Sequence, residues 1–162
     1  MKTLFLVRHA KSSPASPPLP DRERPLDDRG RHDAPKMGQR LAKSGVKKPD
    51  LLVSSPALRA LTTAQLIADE IGYQREDIVV DERLYASSPD NLLAVIGALD
   101  DKLDRVMLVG HNPEFTELAH RLSSEITDMP TCAVAEFRFD ATAWADVGEV
   151  APAKVRMDVP KN

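Results

Sequence analysis

Four short apolar runs recur along the chain: Thr3-Leu4-Phe5-Leu6-Val7, Leu51-Leu52-Val53, Ile78-Val79-Val80 and Arg105-Val106-Met107-Leu108-Val109. They do not alternate apolar with polar, so they fit strands buried on both faces of a parallel sheet. Helical periodicity fills the intervals. Residues 26–43 carry Ala34, Met37 and Leu41 along one face, with Asp27 or Asp28 able to cap and Pro35 expected to kink the helix or delay its start. Residues 56–71 place Leu58, Leu61, Ala64, Ile67 and Ile71 on one stripe, ended by Gly72. Further helices are predicted over 91–99 and from Pro113 to about Ser123. The tail, 133–139 and 147–157, alternates enough for two more strands paired at a sheet edge. Strands alternating with helices at this spacing predict a three-layer α/β/α sandwich with a mostly parallel central sheet.

A length of 162 residues, 42% hydrophobic and 29% charged, suits one domain spanning 1–162 with a core that needs no staple. The single cysteine, Cys132, has no disulfide partner and no neighbouring base, and is read as inert. With no apolar run near the roughly 20 residues of a membrane span, the chain is expected to be cytoplasmic and not membrane-bound. A net charge of −3 argues against a nucleic-acid partner. That charge is uneven: residues 1–50 hold 12 Lys/Arg against 6 Asp/Glu, and the rest hold 10 against 19. A basic N-terminal third suits an anionic ligand such as phosphate, although a solvated surface produces the same count.

Ligands of open α/β sheets bind beyond the carboxyl ends of the strands. Arg8 and His9 follow the first run; Ser54, Ser55 and, one helical turn on, Arg59 follow the second. Glu82 and Arg83 follow the third, Gly110 and His111 the fourth. Arginine forks grip phosphate oxygens bidentately, and a neutral imidazole is a nucleophile toward phosphorus. Two arginines and a second imidazole can stabilise phosphoryl transfer without metal. No His-Glu-x-x-His and no acidic cluster suited to magnesium occurs, so neither a metal nor another cofactor is expected. Gly-x-x-x-x-Gly-Lys-Ser/Thr and Gly-x-Gly-x-x-Gly are also missing, against nucleotide-binding readings.

Leu6-Val7-Arg8-His9-Ala10 resembles the Arg-His-Gly signature of the histidine phosphatase superfamily, whose fold is phosphoglycerate mutase-like, with Ala10 in place of the common glycine. Ser54-Ser55-Pro56-Ala57-Leu58-Arg59-Ala60 and Val109-Gly110-His111-Asn112-Pro113 resemble its second arginine and second histidine motifs. Arg8-His9-Ala10-Lys11-Ser12 followed by Asp21-x-x-Arg24-Pro25-Leu26 and Gly30 is similar to the SixA-type phosphohistidine phosphatases. The resemblance implies His9 as the phospho-accepting nucleophile and Arg8, Arg59 and His111 as holders of the phosphoryl oxygens. It also implies Arg24 as a loop contact to phosphate and Glu82 as the acid that protonates a leaving group.

Ser55 reads equally as a hydrogen-bond donor to phosphate or as a cap for the following helix. Asp21 could brace Arg24, Lys11 could add positive field, and Asn112 could orient His111. His32, His120 and Trp144 are read as surface or packing residues. About fifty residues separate Arg59 from His111, too few for a large helical lid, so the pocket should be open enough for a histidine on a folded protein. The expected substrate is a phosphohistidine-bearing protein. A small phosphoester, or a phosphate-binding module without turnover, remains the alternative, and oligomeric state is not readable.

Overall fold

The computed structural model describes residues 1–14, 19–46 and 48–160. Pro17 and Pro18 of the proline-rich segment lie outside the described residues. Among the described residues, six strands and four α-helices follow in the order β1 (Lys2–Arg8), α1 (Asp28–Lys43), β2 (Leu51–Ser54), α2 (Leu58–Ile71), β3 (Val79–Val80), α3 (Pro89–Gly97), β4 (Arg105–Gly110), α4 (Glu114–Leu122), β5 (Val134–Phe139) and β6 (Lys154–Asp158). They form one sheet in the order β3-β2-β4-β1-β5-β6. The β3-β2-β4-β1 portion is parallel; β5 runs antiparallel to β1, and β6 to β5.

Uniformly apolar strands are explained by what covers them. In β1, Phe5 and Val7 join Met37 and Leu41 of α1 and Ala64 and Ile67 of α2 on one face. Leu4 and Leu6 join Leu92 and Ile96 of α3 and Phe115 and Leu118 of α4 on the other. Successive side chains point to opposite faces, so a strand with helices on both sides must be apolar at every position. The two tail strands pair at one sheet edge as expected, and β5 additionally joins β1.

Local signals set most boundaries. Asp27 caps α1 by accepting from the Gly30 N–H at 2.8 Å, and the helix continues through Pro35 without the expected delay. Gly72 ends α2 at φ 79°, the left-handed conformation glycine adopts without strain. The stripe of α2 departs from expectation: Leu58 is exposed, while Arg59, Ala60, Thr63, Ala64, Ile67, Ala68 and Ile71 are buried. Orienting Arg59 inward rotates the helix so that its small residues meet the sheet. No helix among the described residues is long and apolar enough to cross a membrane.

Two close approaches frame the carboxyl ends of the strands. Lys11 O accepts from the Asp27 N–H at 3.0 Å, and a Cβ on Gly30 would lie 2.1 Å from that same oxygen. Ser12 forms a bridge with Leu26, closing the base of the intervening loop. At the end of β4, a Cβ on Gly110 would meet the Phe115 ring at 2.5 Å. Gly110→Ala is therefore expected to destabilise the fold by about 1–3 kcal/mol through overpacking, measurable as a lower urea midpoint at unchanged slope.

Candidate active site

Strands β1 and β4 are parallel neighbours with Arg8 opposite Gly110. The next residue of each chain segment is a histidine, so register alone brings His9 and His111 together. The His9 N–H donates to Gly110 O at 3.0 Å, and its carbonyl accepts from the Cys132 N–H at 3.1 Å. The two rings lie 5.2 Å apart, tilted by 57°. Both residues are buried.

Each ring has one nitrogen engaged. His9 Nδ1 lies 2.7 Å from Ala10 O, and a carbonyl can only accept, so Nδ1 carries the proton. Nε2 of a neutral His9 then holds a free lone pair. His111 Nε2 lies 2.7 Å from Ser55 Oγ, which itself accepts from the Ala57 N–H at 3.2 Å. With the Ser55 hydroxyl donating to Nε2, the proton of a neutral His111 sits on Nδ1, a buried atom with no protein partner. Burial, opposed by the Ala10 hydrogen bond and aided by Arg59, Arg8 and Arg24, lowers the His9 pKa to about 4. Burial, then His9 and Arg59, lowers His111 to about 3.

A cluster of cations adjoins the rings, centred on one carboxylate. Arg59 donates from Nη1 to Asp21 O at 2.7 Å and from Nη2 to Asp21 Oδ2 at 2.9 Å. Arg24 Nε donates to Asp21 Oδ1 at 3.1 Å, and the Tyr85 hydroxyl donates to Oδ2 at 2.6 Å. These contacts, the Tyr85 hydrogen bond foremost, hold the Asp21 carboxyl well below the usual carboxylate range. Arg24 also reaches Ser12 Oγ and Ser13 O. Arg8 donates from Nη1 to Met129 O at 3.0 Å, while Nε of both Arg8 and Arg59 is buried without a partner. Asp21 thus does more than brace Arg24: it ties three donors together.

Other expected residues take different parts. Glu82 is exposed and pairs with Arg22 at 2.7 Å, which in turn stacks 4.5 Å from the Tyr85 ring centre. Ser55 is fully buried, its hydroxyl committed to His111 and to the Ala57 amide, where it orients the imidazole. Asn112 anchors its turn, donating to Met129 O and accepting from Thr116. Lys11 and His32 are exposed, and His120 Nδ1 contacts Ile126 O at 2.8 Å. Cys132 is buried and its thiol is pushed up to about 12 by desolvation.

A cavity of about 180 Å³ opens beside His111, lined by Asp21, Arg59, Tyr85, Ala86, His111, Asn112 and Glu114; His9, 5.2 Å from His111 between ring centres, and Arg8 and Arg24 are not among its lining residues. Tyr85 packs edge-on against His111 with centroids 5.6 Å apart. Glu114 was not legible as a site residue: one acid at the start of a helix carries no signal until packing buries it. No cluster of three or more potential metal ligands occurs among the described residues. A free imidazole lone pair beside guanidinium groups is equipped for phosphoryl transfer through a covalent nitrogen–phosphorus bond.

A sequence model of the histidine phosphatase superfamily (branch 1) matches residues 4–86. A protein of Mycobacterium tuberculosis is 30% identical over 166 residues, spanning 96% of this chain and 100% of its own. Among solved structures, a protein assigned as the phosphohistidine phosphatase SixA of Nakamurella multipartitia is similar with a TM-score of 0.84 at 26% identity, over 98% of this chain and 96% of its own. Another so assigned from Agrobacterium tumefaciens gives 0.80 at 25% identity, covering 99% of each chain.

Two measurements check the site. Because His9 and His111 take up protons less readily folded than unfolded, the unfolded chain binds more protons between its ordinary value of 6.5 and their lowered values. Their influence fades as the pH rises past 6.5. Each should lower stability by up to about 1.4 kcal/mol per pH unit as acidity rises toward pH 4, a slope that His9→Gln and His111→Gln should reduce in urea titrations. Ser55→Ala leaves His111 Nε2 buried without its partner and should lower unfolding free energy by about 1–3 kcal/mol.

Proposed function

Because the chain belongs to the histidine phosphatase superfamily and is a phosphatase, we propose that it hydrolyses phosphohistidine on a protein partner through a phospho-His9 intermediate. The observation that carries this reading is the hydrogen bond from His9 Nδ1 to Ala10 O. It leaves Nε2 as the attacking atom beside a second imidazole and the buried Arg59.

In this scheme Nε2 of His9 forms a bond to phosphorus as the bond to the leaving group breaks, its electron pair going to that group. Water then attacks phospho-His9, releasing inorganic phosphate and restoring the imidazole. Arg8, Arg24 and Arg59 hold the phosphoryl oxygens, whose charge substitutes for the Asp21 carboxylate on Arg24 and Arg59. His111 donates from Nδ1, held in that tautomer by Ser55. Glu82, ion-paired with Arg22 on the surface, is not among the residues lining the cavity, and the scheme needs no proton from it.

The chemistry of the leaving group favours phosphohistidine over a simple ester. An alkoxide is strongly basic and gains much from a proton donor, whereas an imidazole protonated on its far nitrogen departs neutral. Access supports the same reading. Between Arg59 and His111 the described chain contains only the rest of α2, β3, α3, β4 and short turns, with no inserted helical lid.

Brief exposure to a radiolabelled phosphodonor should leave acid-labile, alkali-stable label on the native protein and none on His9→Ala. Unlabelled native protein that binds phosphate without turnover would instead mark a binding module. Steady-state kcat/KM should hold through neutral pH and fall on the acid side as His9 becomes protonated, near its lowered value of about 4. Chelators should not change the rate; a requirement for added magnesium would defeat the mechanism.

A further inference from the structure

The cavity that holds Arg59 and His111 holds two carboxylates in different circumstances. Asp21 is saturated by Arg59, Arg24 and Tyr85. Glu114 is 6% exposed, and its Oε2 accepts only the backbone N–H of Ser87, at 3.1 Å. No lysine or arginine among the described residues forms an ion pair with it. A buried carboxylate without a cation is a costly feature in a pocket built for an anion, because it repels the phosphoryl group that its neighbours attract. It sits in the first turn of α4, where the helix dipole and the Ser87 amide face its oxygens. An ionised carboxylate accepts hydrogen bonds and cannot protonate an alkoxide.

We infer that Glu114 is a specificity residue that receives the N–H of the departing imidazole. This rests on the proposed phosphohistidine substrate and names the group that recognises it. One nitrogen of the substrate ring is bonded to phosphorus; the other, when protonated, donates to Glu114 and is kept protonated by that carboxylate. Attack by His9 Nε2 forms the new nitrogen–phosphorus bond as the old one breaks, with the electron pair returning to the substrate nitrogen. The ring leaves as neutral imidazole, its proton still on the far nitrogen beside Glu114. A phosphoester has no such proton to offer, and the same carboxylate repels the negative charge developing on its leaving oxygen. Glu114 thus selects nitrogen–phosphorus over oxygen–phosphorus cleavage through charge, with no general acid.

Glu114→Gln retains a carbonyl acceptor for the Ser87 amide and removes the negative charge. It and the shorter Glu114→Asp should be assayed beside the native protein on a phosphohistidine peptide and on p-nitrophenyl phosphate, whose phenolate needs no proton to leave. Glu114→Gln should lower kcat/KM for the peptide by about tenfold to a hundredfold and raise that for the aryl phosphate by about twofold to tenfold, because the departing phenolate is no longer repelled. Glu114→Asp should recover part of the peptide activity. Equal losses on both substrates would make Glu114 a structural residue, and no loss on the peptide would remove it from recognition; either overturns this inference while leaving the phosphohistidine reading intact. If the native protein cleaves p-nitrophenyl phosphate and labels His9 but leaves the peptide untouched, both the substrate reading and this inference fall.

Discussion

Register between two parallel strands is the constraint on which the site depends. Because Arg8 lies opposite Gly110, the residues that follow, His9 and His111, emerge side by side from the carboxyl ends of two central strands. A slip of one residue would turn the side chains of β1 to the opposite faces and separate the imidazoles. Burial of Leu4 and Leu6 against one pair of helices, and of Phe5 and Val7 against the other, opposes that slip. The packing that holds the sheet together is therefore also what aligns the two rings.

Once aligned, the rings are set by single hydrogen bonds. A main-chain carbonyl occupies Nδ1 of His9, and a serine hydroxyl occupies Nε2 of His111. Desolvation and nearby guanidinium groups keep both rings neutral at ordinary pH. One ring can then offer a lone pair while the other offers an N–H, a division of labour that two charged imidazolium ions could not perform. Asp21 balances the guanidinium groups: it holds Arg59, Arg24 and Tyr85 in one arrangement and carries the kind of charge that a phosphoryl group brings.

Charge on the opposite side of the reaction is carried by Glu114. Its low exposure, and its lack of a cation among the described residues, give the cavity a negative element beside a positive one. An anionic phosphoryl group joined to a ring that donates a proton matches that pairing, and a phosphoester does not. The preference proposed for this enzyme thus follows from where charge sits, independently of any acid after β3.

Much of this is legible in the sequence. Buried strands were readable from runs such as Leu4-Phe5-Leu6-Val7, since covering both faces forces every position to be apolar. The paired histidines and arginines were readable because motifs at strand ends of an α/β sheet must share a rim. Less legible was anything that depends on how side chains distribute their hydrogen bonds. Ser55 as a support for His111, Asp21 as the hub of three donors and Glu82 in a surface pair with Arg22 each turn on distances between residues remote in the chain. Glu114 is the clearest instance. Its identity and its helical position are local facts, but its burial beside His111 exists only when α4 packs against the sheet, because desolvation is a property of the assembled neighbourhood and not of a stretch of chain.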